Sequence, residues 1–238
     1  MKSIRESLEL GQHKPLRVRE ETISSHTSPC RVAYVSDIHL RRGRSTHLVS
    51  QVIAATRRAD PHLILLGGDL VDQLSELPHL SDLIEKLLTI APVFAIPGNH
   101  DVAAGEEKVR ATVEAAGASW IQHTTTLFAH GTRTLAISGP AAPDPPPAAD
   151  LHILCAHNPR VWKTARHRHF HLVLAGHLHG CQAVCFHARD RLFPGALFYP
   201  YNFTRRTSGH STLIVSAGCS DLIPIRWNCP REIVVCLL

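Results

Sequence analysis

The chain has 238 residues, 44% hydrophobic and 19% charged, which is enough for one sizeable core and too apolar for a disordered protein. Lys and Arg number 25 against 20 Asp and Glu, a net charge of +5 that suits anionic ligands but is too small to mark a stable nucleic-acid binder. The 18 histidines stand out, because histidine is the commonest metal ligand and the usual proton carrier near neutral pH.

In chain order, residues 1–29 read as an N-terminal arm that includes LRVREETI (16–23), an alternating edge strand. RVAYVSD (31–37) is the first core strand. A helical stripe of Leu48, Val52, Ala55 and Ala59 follows it, with Ser45 as N-cap. After the strand HLILLGGD (62–69), Leu80, Leu83, Ile84, Leu87 and Leu88 repeat at helical spacing. PVFAIPGN (92–99) is the next strand, and Val109, Val113 and Ala116 mark a helix ending at Gly117. The second half reads as strands: RTLAISG (133–139), LHILCAH (151–157), LVLAGH (172–177), TLIVSAG (212–218) and EIVVCLL (232–238). The five prolines within 139–150 make that segment a loop. Strand–helix alternation followed by strands predicts a layered α/β domain over residues 1–238, with mixed sheets covered on both faces.

Seven cysteines lie mostly in or beside apolar runs, as Cys155 and Cys236 do, and this predicts free thiols in a reducing compartment rather than a disulfide framework. Cys181 and Cys185 lack a second pair at zinc-finger spacing. No apolar run reaches the ~18 residues of a membrane span. The opening MKSIRESLELGQH has no apolar signal stretch. The expected compartment is the cytoplasm.

Five strands end in polar side chains: Asp37-Ile-His39, Gly68-Asp69, Gly98-Asn99-His100-Asp101, Ala156-His157-Asn158 and Gly176-His177-Leu178-His179. Each string alone is compatible with a turn. Together they place carboxylates and imidazoles at the carboxyl edge of the strands, where open α/β sheets bind ligands. Two divalent cations would compensate such a group. Asp, His and an Asn carbonyl without thiolate suit Mn, Fe or Zn, with Mn the choice for assay.

The ordered set DIH, GGDLVD, GNHD, HN and GHLHG resembles the calcineurin-like metallophosphoesterase family. The resemblance implies a four-layer α/β/β/α sandwich of two mixed sheets and a binuclear metal centre. By that resemblance Asp37, His39 and His179 hold one metal, Asn99, His157 and His177 hold the other, and Asp69 bridges them. His100 is the catalytic histidine, with Asp101 beside it to orient or polarise it; Asp101 or Asp72 also suits a supporting role behind the imidazoles. The implied reaction is two-metal hydrolysis of a phosphodiester or pyrophosphate by a metal-bridging hydroxide. A non-catalytic scaffold on the same fold is the alternative from another class, against which stand the intact ligand set and His100.

The tail, with Pro224-Ile225-Arg226 and Pro230-Arg231-Glu232-Ile233, is similar to the bacterial branch of YkuE- and YaeI-type phosphodiesterases. That branch commonly carries a membrane or export segment before its first strand, and no apolar run stands there here. It also commonly has a glycine where this chain has Cys181. Phosphoprotein phosphatases usually read GDxVDRG and GNHE, whereas Gln73 and Asp101 stand here, which favours a diester or pyrophosphate. Arg41, Arg42 and Arg44 are candidate substrate clamps, with a solvated basic loop as the alternative. Phe186, Phe193, Phe198, Tyr199, Tyr201 and Phe203 form either inter-sheet packing or an apolar groove for a lipid or nucleobase. Expected partners are therefore a small phosphodiester, a nucleotide diphosphate or a lipid-linked substrate, with peripheral contact at the inner membrane face. UDP-2,3-diacylglucosamine hydrolysis in lipid A synthesis is the specific alternative.

Overall fold

The computed structural model describes residues 8–24 and 29–238. The remainder of the N-terminal arm, residues 1–7 and 25–28, lies outside the described residues. The strands are β1 (Leu8–Leu10), β2 (Arg17–Thr22), β3 (Arg31–Val35), β4 (Leu63–Gly67), β5 (Val93–Ile96), β6 (Ser119–Trp120), β7 (Thr125–His130), β8 (Arg133–Ser138), β9 (Leu151–Cys155), β10 (Leu172–Ala175), β11 (Val184–Ala188), β12 (Arg191–Pro194), β13 (Arg205–Ser208), β14 (Ser211–Val215), β15 (Ile225–Trp227) and β16 (Glu232–Leu237). The helices are α1 (Ser45–Ala59), α2 (Leu77–Leu88), α3 (Asn99–Ala115) and the short α4 (Trp162–Ala165).

Two six-stranded mixed sheets carry the fold, ordered β2-β16-β3-β4-β5-β6 and β13-β14-β10-β9-β8-β7. Within them β3, β4 and β5 run parallel, as do β8, β9, β10 and β14. Parallel strands need both faces covered, and the apolar runs provide for it. All five residues of β4 are buried. Ile64 and Leu66 pack with Leu48, Val52, Leu83 and Val109 under α1–α3. Leu63 and Leu65 face the second sheet through Ile137, Ile153 and Leu174. On the outer face of the second sheet, Leu154, Val173 and Leu213 pack against Trp162 and Ala165 of α4 and against Phe170 and Phe203. The layers are thus α/β/β/α, with the fourth layer reduced to one short helix and flanking loop.

Each core strand expected from sequence is present, and β2 is the edge strand of its sheet. One cap differs. Ser45 is the first helical residue and Arg44 the N-cap, because the Ser45 hydroxyl donates to Glu76 Oε2 (2.7 Å) instead of turning back to cap the helix. α3 begins at Asn99, so the Gly-Asn-His-Asp string opens a helix. All seven cysteines are free.

Candidate metal centre

The carboxyl ends of β3, β4, β5, β9 and β10 meet at one edge of the sandwich. The chain leaves these strands through unusual backbone. Asp37 (φ 55°), His39 (φ 48°), Asp69 (φ 52°), His177 (φ 73°) and His179 (φ 49°) are all left-handed. Non-glycine residues pay for this conformation, and it persists where surrounding structure over-determines it, often at functional sites. Close approach explains two of the glycines. A Cβ on Gly98 would lie 2.1 Å from Asp69 Oδ1, and one on Gly176 would lie 2.3 Å from Asp37 Oδ2.

The side chains so delivered form one cluster. Asp37, His39 and His179 present ligand atoms within 4.8 Å of one another, and so do Asp69, His157 and His177. Asp69 Oδ2 lies between the groups, 3.6 Å from His39 Nε2 and 3.2 Å from His157 Nε2. Asn99 Oδ1 and His177 Nδ1 are each 3.1 Å from His157 Nε2. The carboxylates are held from behind: Asp37 accepts from the His177 N–H (2.9 Å) and the Ser36 hydroxyl (2.6 Å), and Asp69 accepts from the His100 N–H (2.8 Å).

The imidazoles are oriented through their outer nitrogens. Nδ1 of His157 faces the Gly67 carbonyl at 2.9 Å, and Nδ1 of His179 faces the Ser220 carbonyl at 3.0 Å. Nδ1 of His39 faces Asp72 Oδ1 at 2.7 Å. A carbonyl or carboxylate accepts only from N–H, so each neutral ring turns the Nε2 lone pair inward. His39 Nε2 and His179 Nε2 are 3.2 Å apart, and two lone pairs at that distance repel unless a cation or proton lies between them. Lone pairs and carboxylates converging without donors make a set that fits cations.

The electrostatics show how strongly the carboxylates draw positive charge into the cluster. Burial opposes charge on Asp69, but His157, the His100 N–H and His39 outweigh it and hold the carboxyl well below the usual range. Burial likewise opposes a proton on His157, yet Asp69, Asp37 and the Gly67 carbonyl raise it to about 9. Burial lowers His179 and His177, and neighbouring imidazolium charge adds to it.

Asp101 requires a correction. Expected beside the His100 ring, it is fully buried and accepts from the backbone N–H groups of Gly98 (2.8 Å), Leu70 (2.9 Å) and Val71 (3.0 Å). At the first turn of α3 its side chain curls back to satisfy the orphan donors where β4 and β5 end. Burial, first among the influences on it, raises its pKa to about 6 against those donors. The acceptor behind His100 is Asp72, whose Oδ1 lies 2.9 Å from His100 Nδ1.

The three arginines separate. Arg41 reaches toward the cluster, 3.9 Å from Asp72 Oδ2, and donates to the Asp221 carbonyl. Arg42 and Arg44 instead border a depression lined by Gly43, Ser45 and His47, which the cluster does not reach. The aromatic segment divides as well. Phe203 is core, Phe186 and Phe198 are exposed, and Tyr199 and Tyr201 line a pocket with Asn158, Arg160 and His177. Arg160 and the Ser220 carbonyl carried no motif signal in the sequence, since their roles come from loops.

The family described as Calcineurin-like phosphoesterase matches residues 30–181, which include every cluster residue above. The chain is 29% identical over 245 residues to phosphodiesterase YaeI of Escherichia coli K12, across 95% of this chain and 88% of that protein. It is 26% identical to the uncharacterized protein YpbG of Bacillus subtilis across 65% of this chain and 62% of that protein. Among solved structures, the phosphopantetheinyl hydrolase PptH of Mycobacterium tuberculosis shares the fold, with TM-score 0.50 and 11% identity over 85% of this chain and 96% of that one. With the family match spanning residues 30–181 and the strand-end cluster in place, the chain belongs to the calcineurin-like phosphoesterase family.

Proposed function

We propose that the protein hydrolyses a phosphodiester or pyrophosphate bond with two divalent cations. In this reading Asp37, His39 and His179 hold one cation, Asn99, His157 and His177 hold the other, and Asp69 serves both. The observation that carries it is the set of imidazoles locked by Gly67, Ser220 and Asp72 with lone pairs turned onto two carboxylates. Bound cations would supply Lewis-acid charge to the phosphate oxygens and acidify a water nucleophile. The chain's own residues do the rest. Asn99 adds a neutral donor, which limits negative charge facing an anionic substrate. His100, anchored at Nδ1 by Asp72 and 39% exposed at its side chain, leaves Nε2 to pass a proton to the leaving oxygen. Arg41, which extends to within 3.9 Å of Asp72 Oδ2, would be the group to meet a non-bridging phosphate oxygen. Mn, Fe and Zn all suit the oxygen and imidazole donors, and Mn is the metal for assay.

The substrate in this reading carries an apolar portion, because the pocket of Tyr199, Tyr201 and Leu178 opens beside His177. The similarity to a phosphodiesterase over nearly the whole chain supports a diester. A lipid-linked diphosphate such as UDP-2,3-diacylglucosamine is the second reading, supported by exposed Leu197 and Phe198 next to that pocket.

The deciding test uses bis-p-nitrophenyl phosphate with Mn²⁺ and His100→Ala. An enzyme loses ~10²–10⁴ in rate yet keeps two metals by elemental analysis. Metal-loaded protein inert on diesters, pyrophosphates and monoesters alike would return the reading to a scaffold.

A further inference from the structure

The ribbon of β1 and β15 is built inside out. Its antiparallel register sets Leu8 opposite Trp227, Glu9 opposite Arg226 and Leu10 opposite Ile225. Side chains alternate across a strand, and here the charged pair faces inward while the apolar residues face solvent. Glu9 is 5% exposed and Arg226 1%, against 60% for Leu10, 49% for Ile225 and 37% for both Leu8 and Trp227. The preceding loop extends the patch with Leu222 and Ile223, 53% and 61% exposed.

This exposure is held in place. The Gln182 amide, itself buried, donates to the carbonyls of Ile223 (2.6 Å) and Ile225 (2.9 Å) and accepts from the N–H groups of Leu222 and Ile223. Arg226 pairs with Asp221 beneath the ribbon, and Arg231 pairs with Glu9 (2.8 Å). The acids of this region are therefore turned inward on arginines. Among the described residues, the surface charges beside the β1 side of the ribbon are basic. Lys14 donates to the Leu8 carbonyl, and the turn after Leu10 shares a depression with His13, Arg44 and His47, with exposed Arg42 adjoining.

A rigid apolar patch holding a tryptophan and flanked on its β1 side by cations is complementary to the headgroup layer of an anionic bilayer. We propose that this ribbon docks the protein on an anionic lipid surface, with Leu10, Ile225, Trp227, Leu222 and Ile223 entering the interface and Arg42 and Arg44 meeting the headgroups. The patch adjoins the centre. Ser220, whose carbonyl orients His179, leads directly into the Asp221–Ile223 loop. Docking therefore brings the His39/His179 side of the cluster to the lipid surface. The proposal stands whether or not the substrate is a lipid.

Trp120 and Trp162 are buried at 9% and 1%, so Trp227 is the natural reporter. The experiment mixes the full chain with vesicles of phosphatidylcholine alone or with phosphatidylglycerol, with and without acyl-chain bromination. The expected result is a blue shift, with quenching by brominated lipid, in the anionic vesicles and its loss at high salt. Leu10→Glu and Ile225→Glu should each lower vesicle partitioning at least tenfold while hydrolysis of bis-p-nitrophenyl phosphate in solution is unchanged. Arg42→Glu should weaken binding to the anionic vesicles. Absence of any shift and of co-flotation with anionic vesicles overturns the proposal, as does partitioning that Leu10→Glu and Ile225→Glu leave intact. A dimer that the same variants dissociate, without vesicle binding, assigns the ribbon to a second copy instead. Flotation and quenching do not depend on turnover, so inactivity toward phosphoesters leaves this test readable.

Discussion

Oδ1 of Asp72 lies 2.9 Å from Nδ1 of His100, and the same oxygen lies 2.7 Å from Nδ1 of His39. One carboxylate thus couples a ring of the cluster to the partly exposed ring proposed above to transfer the proton. The rings themselves meet edge to face, with centroids 4.6 Å apart. Burial works against charge on Asp72, but His39, His100 and Arg41 outweigh it and lower its pKa, so the carboxylate is ionised when it holds them.

Asp72→Asn and Asp101→Asn should therefore separate rate from stability. Losing the Asp72 charge leaves both rings without a full acceptor, and ~10–100-fold of kcat should go with it. Asp101→Asn places an NH₂ against backbone N–H donors and should cost about 1–3 kcal/mol of stability. Folded Asp101→Asn protein should keep kcat within a fewfold. Thermal melts and kcat on bis-p-nitrophenyl phosphate read both, and a rate loss confined to Asp101→Asn would restore Asp101 as the partner of His100.

Metal removal should abolish activity and Mn²⁺ should restore it. Asp69→Asn and His177→Ala should each remove at least one equivalent of bound metal and bring turnover to background. Elemental analysis beside the rate distinguishes ligand loss from unfolding. Full metal content with lost rate in His177→Ala would remove it from the ligand set.

Arg226 is a stability hinge of the C-terminal segment. It pairs with Asp221 and donates to the carbonyls of Ser220 (2.7 Å) and Ala217 (2.9 Å), all beneath the apolar ribbon. Arg226→Met strands Asp221 as a buried unpaired charge, a loss of about 3–5 kcal/mol. Denaturant unfolding should show that loss, with a smaller one for Arg226→Met combined with Asp221→Leu.

Tyr201→Ala should change which ester arm is preferred rather than whether phosphorus is attacked. Its pocket adjoins His177, so the expected effect is a higher KM for diesters with an apolar arm and little change for dimethyl-type esters. Short-chain, long-chain and deacylated versions of one head group decide the lipid reading. Each buried CH₂ contributes about 0.8 kcal/mol, so kcat/KM independent of acyl length would eliminate it.

Much of this protein was legible in its residues. Short continuous apolar runs ending in glycine, such as Leu63–Gly67, read as strands covered on both faces, and the 3.6-residue stripe from Leu80 to Leu88 reads as one buried side of a helix. The polar ends of five strands declared a site, because Asp37, Asp69 and His157 have no place at a buried sheet edge without a counter-charge. β1, β6, β7, β11, β12, β13 and β15 were illegible. Most are short, and in β7 and β11, which are not, few residues are buried; their partners or surface setting, rather than an apolar period, make them strands. Sequence proximity also misled at Asp101. It neighbours His100 in the chain, but the helical turn opening at Asn99 directs its carboxylate to the Gly98, Leu70 and Val71 amides, while Asp72 arrives from the β4 loop. The same holds for Arg41, Arg42 and Arg44, which the loop into α1 splits between the cluster and the surface. Side-chain chemistry and period are local and can be read along the chain. Which ring a carboxylate meets, and whether Leu10 and Trp227 face core or water, depends on contacts between distant segments, and those exist only once the sheets have packed.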